Sequence, residues 1–552
     1  MTNRQFIGSS RDFSDSRGAL PSWDPRTEAC QPVLTRPGAR RRSAEEDPTL
    51  CPAKVRRAGL VELLRSADDF TALVSSTPGE EVAVLEYLMA IMYASACVPA
   101  TPGAWHRWVQ EGQSLEKAAE WLEGEPADHW DLFHPERPLG QNALLAPFMA
   151  GHGVGSAQLV IERTGDYNQF FDKVHLHDPE PMPPDAAFRA MLTQHAYGLG
   201  GRAMAKADWL GPQLTYQAVG RLGTRIRVLA RGRTLGDTLR LNITPCAPGD
   251  VGTFNYSWTD GRPGSRRAFR GRKVSRLPDG PADLHSFLGR SILLRPALVD
   301  GRLVVDRVLR AAGELLDPLA PVHLQDAVLV PGRKDGGPEA LRPSEDRALW
   351  RESHAVYAAT FKADPELAKG TDLYDRLARV RDRRVDLTAV GLISRQATAT
   401  AWVSDTFPYV PGREKQLKWA ADEGSLICEF AAKALYAAAA VARDEAYPNP
   451  KPSDKASLLR RFHAEPELWA GAADHFSVLI AEVSDGIDAG EGPLADFGRE
   501  IHELTWRVLR ARLTSLPPGG RGMNARAKAE SQLKRKLASS ACPPYLKEPP
   551  RD

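Results

Sequence analysis

The residues with the clearest binding chemistry form a glycine-led basic stretch. Gly198, Gly200 and Gly201 are followed directly by Arg202, and the stretch from Gly198 to Arg276 contains 15 lysines and arginines, four aspartates and no glutamate. Its formal charge is therefore +11, whereas the whole chain of 552 residues carries only +2. Glycines permit a close approach, and concentrated cations attract a polyanion. We predict that this stretch contacts the backbone of a nucleic acid.

A second basic cluster lies inside the same stretch, at Arg266, Arg267, Arg270 and Lys273. Two interpretations remain open for it. The cluster is either a solvated loop or a row of phosphate contacts.

A metal site is the main catalytic alternative. His175 and His177 are two residues apart and Asp178 follows them, so that the three side chains could converge on a metal ion. A metallohydrolase needs further histidines and aspartates after such a motif, and here a Pro-Glu-Pro run follows instead. A polar loop is the favoured interpretation, and a metal-dependent nuclease or phosphodiesterase is the alternative.

Other catalytic signatures are missing from the sequence. It contains no Gly-x-Gly-x-x-Gly before a helix, no Gly-x4-Gly-Lys-Ser/Thr and no Gly-x-Ser-x-Gly. The six cysteines lie far apart and include no C-x2-C pair, which indicates free thiols rather than a zinc or redox site. We therefore predict no catalytic residue, no metal and no cofactor.

The composition is that of a globular protein, with 42% hydrophobic and 26% charged residues. No apolar run reaches the roughly 18 to 20 residues of a membrane span, and no secretory signal is recognisable in the first 20 residues. We expect a cytoplasmic protein that does not contact a membrane.

The elements that must position these residues fall into three regions. Residues 1–58 are rich in Pro, Arg, Ser and Asp and predict a mobile arm with one anchoring segment near Trp23. Residues 59–400 predict a large mixed α/β domain, and residues 401–552 a C-terminal four-helix bundle. The predicted fold class is α+β.

Several elements can be predicted individually. Thr77-Pro78-Gly79-Glu80 is a helix start signal, and apolar residues recur at helical spacing up to Cys97. Alternating runs between Gln213 and Ile243 predict strands with basic outward faces, and Arg240–Ile243 is predicted to begin or end one of them. Further predicted strands cover Ser291–Leu294 and Leu303–Val305; predicted helices cover Ser114–Leu122, Glu414–Arg443, Ser457–Phe462, Leu468–Val483, Leu494–Leu516 and Asn524–Ala538.

Separated segments, taken in order, resemble the large-subunit (CasA) family of the type I-E CRISPR Cascade surveillance complex. The similar segments are Trp23–Glu28, the Asp-Leu-Phe-His-Pro stretch of Asp131–Gln141, Ala348–Arg351 and Gly391–Thr398. No single motif carries the resemblance, which depends on their order and spacing from about residue 20 to about residue 540. Some members of that family have a four-cysteine knuckle that this sequence lacks.

The resemblance implies contacts with double-stranded DNA. Gly198, Gly200 and Gly201, with Arg202, match a glycine loop that faces the minor groove of the PAM, the short duplex that marks foreign DNA. Arg395, Gln396 and Ala397 match a hairpin whose glutamine is a wedge between DNA strands. A flexible loop matches Asn168, Phe170, Phe171 and Lys173, near the PAM and the 5′ end of the CRISPR guide RNA. The family's minor-groove lysine cannot be aligned; Lys273, Arg307 and Arg310 are candidates for it.

The resemblance also implies partners and a function. The partners are the other Cascade subunits (the backbone, the subunit that caps the 5′ handle and the small-subunit dimer) and a helicase-nuclease recruited after R-loop formation. The expected function is that of a non-catalytic subunit that recognises the PAM and opens the duplex. Minor-groove edges separate A·T from G·C and little more, so several PAM sequences should be tolerated. A nucleic-acid scaffold without sequence preference is the third alternative.

Overall fold

Helices and strands are mixed up to Tyr409, and the described residues from Glu414 onwards form helices without strands. The computed structural model describes residues 22–36, 54–163, 180–259, 275–317, 326–330, 339–344, 349–362, 372–395 and 398–547. The predicted α+β class and the helical C-terminal region are confirmed.

The strands of the described residues form several small sheets rather than one large sheet. They are β1 (Gln31–Thr35), β2 (Val55–Ala58), β3 (Phe70–Leu73), β4 (Val154–Gly155), β5 (Gly201–Arg202), β6 (Tyr216–Gln217), β7 (Arg227–Arg231), β8 (Ser275–Arg276), β9 (Arg290–Val299), β10 (Arg302–Ala312), β11 (Leu315–Leu316), β12 (Leu329–Val330), β13 (Glu339–Ala340), β14 (Val385–Arg395) and β15 (Thr398–Tyr409). Three-stranded sheets have the orders β2-β1-β3, β4-β10-β9 and β15-β14-β7. The pairs β5-β6, β8-β11 and β12-β13 are separate ribbons.

The helices before the bundle enclose these sheets. They are α1 (Leu60–Arg65), α2 (Pro78–Ala94), α3 (Pro102–Glu111), α4 (Glu116–Gly124), α5 (Ala146–His152), α6 (Pro184–Tyr197), α7 (Ala207–Leu210), α8 (Leu235–Asn242), α9 (Pro281–His285), α10 (Ser353–Lys362) and α11 (Leu373–Leu377). The predicted start of α2 is confirmed, because the Thr77 hydroxyl accepts a hydrogen bond from the Glu80 N–H at 3.2 Å. α2 is buried on nearly all sides and is the central helix of this part.

The C-terminal helices confirm the predicted bundle. They are α12 (Glu414–Ala446), α13 (Lys455–Phe462), α14 (Glu465–Ser484), α15 (Pro493–Leu513) and α16 (Gly520–Leu537). α12 packs against α14, α15 and α16 through a face rich in buried alanines, which allows the helix backbones to approach closely. By length and composition α12 could also cross a membrane, and half of its apolar window is buried inside the protein.

Two local predictions were wrong. Arg240–Ile243 was predicted as a strand, but these residues end α8, which begins where the Thr234 hydroxyl accepts from the Asp237 N–H at 3.0 Å. The run Leu214–Tyr216 is a 3-10 turn followed by the two-residue strand β6. In both cases a capping or turn preference prevails over an alternating pattern of only three or four residues.

Contacts or secondary structure continue across both of the predicted region boundaries. Trp23 is buried and its N–H donates to Asp131 at 3.1 Å, and β1 and β2 pair with each other although both lie within residues 1–58. β15 runs across residue 400, so the helical region begins only at Glu414. The division into three regions stays a prediction.

Candidate nucleic-acid interface

The glycine loop is a tight turn between α6 and a short ribbon. The N–H of Gly198 donates to Gln194 at the end of α6, and β5 then pairs antiparallel with β6, Gly201 opposite Gln217. The N–H of Gly220 donates to the carbonyl of Gly198 at 2.7 Å, which closes the turn. Gly201 has a φ of 140°, a conformation that residues with a side chain rarely adopt.

The glycines of this loop do not all serve the same purpose. A Cβ on Gly198 would lie 2.5 Å from both the Gln194 carbonyl oxygen and the Arg290 Nε, and one on Gly220 would lie 2.5 Å from the Ala196 oxygen. These two glycines are required by internal packing. A Cβ on Gly200 would mainly approach a side chain, at 2.8 Å from Val219 Cγ2, and Val219 is 40% exposed. Gly200 is therefore the position where added bulk would change the loop surface most selectively.

Arg290 holds the backbone of the glycine loop from its buried side. Its side chain is buried, and one terminal nitrogen donates to the Leu199 carbonyl at 2.9 Å while the other donates to Gly289 at 2.7 Å. Burial, with a further contribution from the neighbouring Arg310, lowers the pKa of Arg290 to about 9. Since the carbonyl and N–H of a trans peptide point in opposite directions, this bond turns the N–H of Gly200 away from the interior.

The segment that packs against the glycine loop and the strand that leads to the predicted wedge line the same cleft. This cleft has a volume of about 460 Å³. Its lining residues are Val219, Gly223, Thr224, Arg342, Pro343, Leu392, Ile393 and Ser394. The last three belong to β14, directly before Arg395. The structure thus brings residues 219–224, just after the glycine loop, next to a strand about 170 residues further along the chain.

A contact between two aromatic rings joins the end of α6 to the hairpin. The ring of Tyr197, directly before Gly198, meets the ring of Trp402 on β15 edge-on, with centroids 4.8 Å apart. The Trp402 ring also lies against Gly79 at the start of α2, where a Cβ would overlap it. The hairpin and the end of α6 therefore share one packed support.

Sequence reasoning missed Arg342. This exposed arginine lines the cleft because the Leu341 carbonyl accepts a hydrogen bond from the N–H of Ile226 at 2.9 Å. No motif surrounds it, so only the tertiary structure identifies it. Arg202 and Lys206 are exposed as well, and neither has an ion pair among the described residues.

The basic stretch is far less basic at the surface than its composition predicts. Six of its arginines pair with carboxylates. Arg221 and Arg227 pair with Glu86, Arg225 with Asp326, Arg231 with Glu81, Arg240 with Asp68, and Arg276 with Asp283. The prediction of strands with basic outward faces was wrong, because the side chains of Arg225 and Arg227 are only 3% exposed. Every one of these carboxylates comes from outside the stretch.

Glu86 contacts three basic side chains, Arg221, Arg227 and His285. Burial opposes ionisation of Glu86, but its interactions with Arg221, His285 and Arg227 outweigh this effect and hold the pKa of the carboxyl well below its usual value. Glu86 is consequently an anion inside the core, where its charge must be paired.

Many of the predicted site residues lie outside the described residues. They are Asn168, Phe170, Phe171, Lys173, Arg266, Arg267, Arg270, Lys273, Gln396 and Ala397, together with His175, His177 and Asp178. Arg395 is described for its backbone, which ends β14 opposite Thr398. Of the candidates for the minor-groove cation, Arg310 is buried and unsuited to that role. Within the described residues, no three His, Cys, Asp or Glu side chains are grouped to hold a metal ion.

The chain is similar to one group of proteins. A family model described as CRISPR-associated protein Cse1 matches residues 51–508. CRISPR-associated protein CasA/Cse1 of Thermus thermophilus is 23% identical over 511 residues, which cover 89% of this chain and 95% of the relative. A solved structure of Thermus thermophilus CasA (Cse1) has a TM-score of 0.72 at 19% identity and covers 94% of this chain and 99% of its own. A chain of a CRISPR RNA-guided surveillance complex has a TM-score of 0.67 at 19% identity, with 93% and 100% covered.

A buried histidine next to the glycine loop makes stability depend on pH. His195 donates from Nε2 to the Gly140 carbonyl at 3.1 Å, and burial lowers its pKa to about 3. The unfolded chain, with a histidine pKa of about 6.5, binds the proton first. The free energy of unfolding should therefore fall as the pH drops from about 6.5 towards 3, by up to about 1.4 kcal/mol per pH unit.

Urea unfolding at several pH values tests this prediction. The free energy of unfolding of His195→Gln should depend less on pH than that of the wild type, whereas the matched variant His152→Gln, at an exposed histidine, should behave like the wild type. Equal slopes in all three proteins would contradict this assignment.

Proposed function

Because this chain belongs to the Cse1 family of CRISPR-associated proteins, we propose that it is the DNA-recognition subunit of an RNA-guided surveillance complex. It recognises the PAM of double-stranded DNA through the minor groove, opens the duplex to start R-loop formation and helps to recruit the helicase-nuclease. It does so without catalysing a reaction itself. The observation that carries the proposal is the cleft between the hairpin and the segment with Val219, which packs against Gly200 of the glycine loop.

The two walls of the cleft suit two successive tasks. The glycine loop, which lies against Val219 of one wall, offers backbone and little side-chain bulk, so that the edge of a narrow groove can approach. The exposed cations Arg202 and Arg342 lie on the loop and in the cleft, where they can contact phosphates or minor-groove edges. Tyr216, at 62% exposure opposite Arg202, adds an aromatic surface beside them.

The hairpin is a long paired arm. β14 and β15 pair from Val385 opposite Tyr409 to Arg395 opposite Thr398, with one register shift between Ile393 and Ser394. In the sequence, Gln396 and Ala397 are the two residues between these strands. A wedge must replace the stacking that it removes, at a cost of a few kcal/mol per base step, and the nascent RNA–DNA hybrid can offset that cost. A long paired arm that is packed through Trp402 can keep its position while the wedge enters between base pairs.

The distribution of charge favours a subunit over an independent scaffold. A scaffold without sequence preference depends on many phosphate contacts, each of which needs an available cation. Here six arginines of the basic stretch are neutralised by carboxylates of the same chain. Most of the affinity for DNA then comes from the guide RNA and the other subunits, while this chain supplies the check of the PAM.

The remaining partners follow from the same assignment. Asn168, Phe170, Phe171 and Lys173 contact DNA or the 5′ end of the guide RNA, and Arg266, Arg267, Arg270 and Lys273 contact phosphates. The four-helix bundle meets the small-subunit dimer, and other surfaces meet the backbone subunits and the subunit that caps the 5′ handle.

The first test concerns the glycine loop. Gly200→Asp should weaken binding of the reconstituted complex to a PAM-bearing duplex about tenfold or more at constant salt, because bulk and negative charge enter a close approach to phosphates. Gly103→Asp introduces the same charge at an open, exposed position of α3 and is the matched control. Equal affinities of the two variants would argue against a role of the loop in DNA binding.

The second test concerns the hairpin. Gln396→Ala should slow R-loop formation on fully paired targets about tenfold or more and have little effect on targets whose first protospacer base pairs are already unpaired, because a wedge acts only on closed base pairs. Stopped-flow fluorescence of a base analogue next to the PAM measures the rate. The same substitution at Gln416, far along the chain on α12, is the control. An equal loss on paired and pre-opened targets would rule out a wedge.

A further inference from the structure

A second cavity lies inside the mixed α/β part, apart from the cleft. It has a volume of about 280 Å³ and is bordered by the end of α2, the residues before and in β7, α9 and α11. Four arginines line it: Arg221, Arg225, Arg227 and Arg376. None of the functional roles considered above uses these side chains.

The buried charges around this cavity do not balance. The side chains of Arg221, Arg225 and Arg227 are 3% exposed and Arg376 is 2% exposed. Among the described residues, the carboxylates paired with them are Glu86 and Asp326. Four guanidinium groups thus face two carboxylates, and arginine stays charged even when buried. Asp372, which is half-buried, also attracts Arg376, so that at least one positive charge remains without a counter-charge among the described residues.

The acidic residues at the mouth do not supply the missing charge. Asp250 and Asp279 line the cavity but are exposed, so water screens them. The Asp279 carboxylate already accepts hydrogen bonds from the N–H and hydroxyl of Thr253, at 3.1 and 2.8 Å.

Hydrogen-bond donors are also left over. The Nε of Arg225 and the Nε of Arg376 are buried and have no acceptor in the described part of the chain. One terminal nitrogen of Arg225 lies 2.9 Å from Asp326 Oδ1, yet without the geometry of a hydrogen bond. Arg376 bonds to neutral groups, namely the Thr244 hydroxyl at 2.9 Å and the Asn242 carbonyl at 3.4 Å. Buried donors without acceptors destabilise the protein, so that a ligand that supplies acceptors would be stabilised here.

We propose that this cavity binds a phosphate group, with Arg225 and Arg376 as its principal ligands. A tetrahedral oxyanion supplies two negative charges and several acceptors, and the planar fork of arginine matches it. The volume admits inorganic phosphate with a few water molecules, and at most a small phosphorylated compound. The bound anion joins α11 to the segment before β7 and stabilises the fold by mass action.

Equilibrium dialysis of the full-length chain against radiolabelled inorganic phosphate, at constant ionic strength, tests the proposal. We expect saturable binding of about one phosphate per chain and a thermal midpoint that rises with phosphate but not with an equal ionic strength of chloride. A folded wild type without saturable binding would overturn the proposal, whatever the behaviour of any variant. Competition by adenosine monophosphate would identify phosphate monoesters as ligands, and its failure would identify the free ion; both support the site.

Variants locate the site. Arg225→Gln and Arg376→Gln should each weaken phosphate binding about tenfold or more, whereas Arg302→Gln, at an exposed arginine of β10, should bind like the wild type. Circular dichroism identifies which variants fold. Because there are two cavity variants, the comparison can be made if either of them folds. If the folded cavity variants bind phosphate as tightly as the wild type, the anion lies elsewhere and the proposal is wrong. If neither folds, saturable phosphate binding is tested by a wild-type crystal soaked in selenate, whose anomalous signal must lie in this cavity.

Discussion

The buried carboxylate of Glu86 is the interaction on which the structure around the cleft depends. Glu86 is 1% exposed in the middle of α2, and it pairs with Arg221 and Arg227 and with His285 on α9. Arg221 lies just after the turn that closes the glycine loop, and Arg227 begins β7, which pairs with β14 of the hairpin. Both walls of the cleft are therefore tied to the same helix. Removing one partner of such a buried pair costs roughly 3–5 kcal/mol, because the other charge is left uncompensated.

The buried ion pairs change the interpretation of the positive charge in the basic stretch. The stretch from Gly198 to Arg276 looks like a field that would attract any polyanion, but many of its arginines hold the fold together through distant carboxylates. The exposed cations of this region include Arg342 in the cleft, Arg202 on the glycine loop and Lys206 four residues after it. Recognition that relies on a close fit needs fewer charges than long-range attraction does.

The difference between sequence and structure has a physical cause. The helix start at Thr77 and the helices of the bundle were predictable, since caps and apolar periodicity act within a few residues. The roles of Arg221 and Arg240 were not, because Glu86 and Asp68 lie 135 and 172 residues away from them in the chain. A charged residue in an alternating sequence pattern is predicted to be exposed as long as its distant partner is unknown. Arg290 and Arg342 went unnoticed for the same reason, since tertiary contacts alone bring them to the loop and the cleft.

We propose that this chain gives the complex its dependence on the PAM. Binding of the complete RNA-guided complex, with and without this chain, to a library of target duplexes that vary only in the PAM tests this proposal. We expect a limited group of PAM sequences to be enriched when the chain is present, and we expect the enrichment to disappear without it. The same enrichment in its absence, or equal binding to every sequence in its presence, would show that the proposal is wrong.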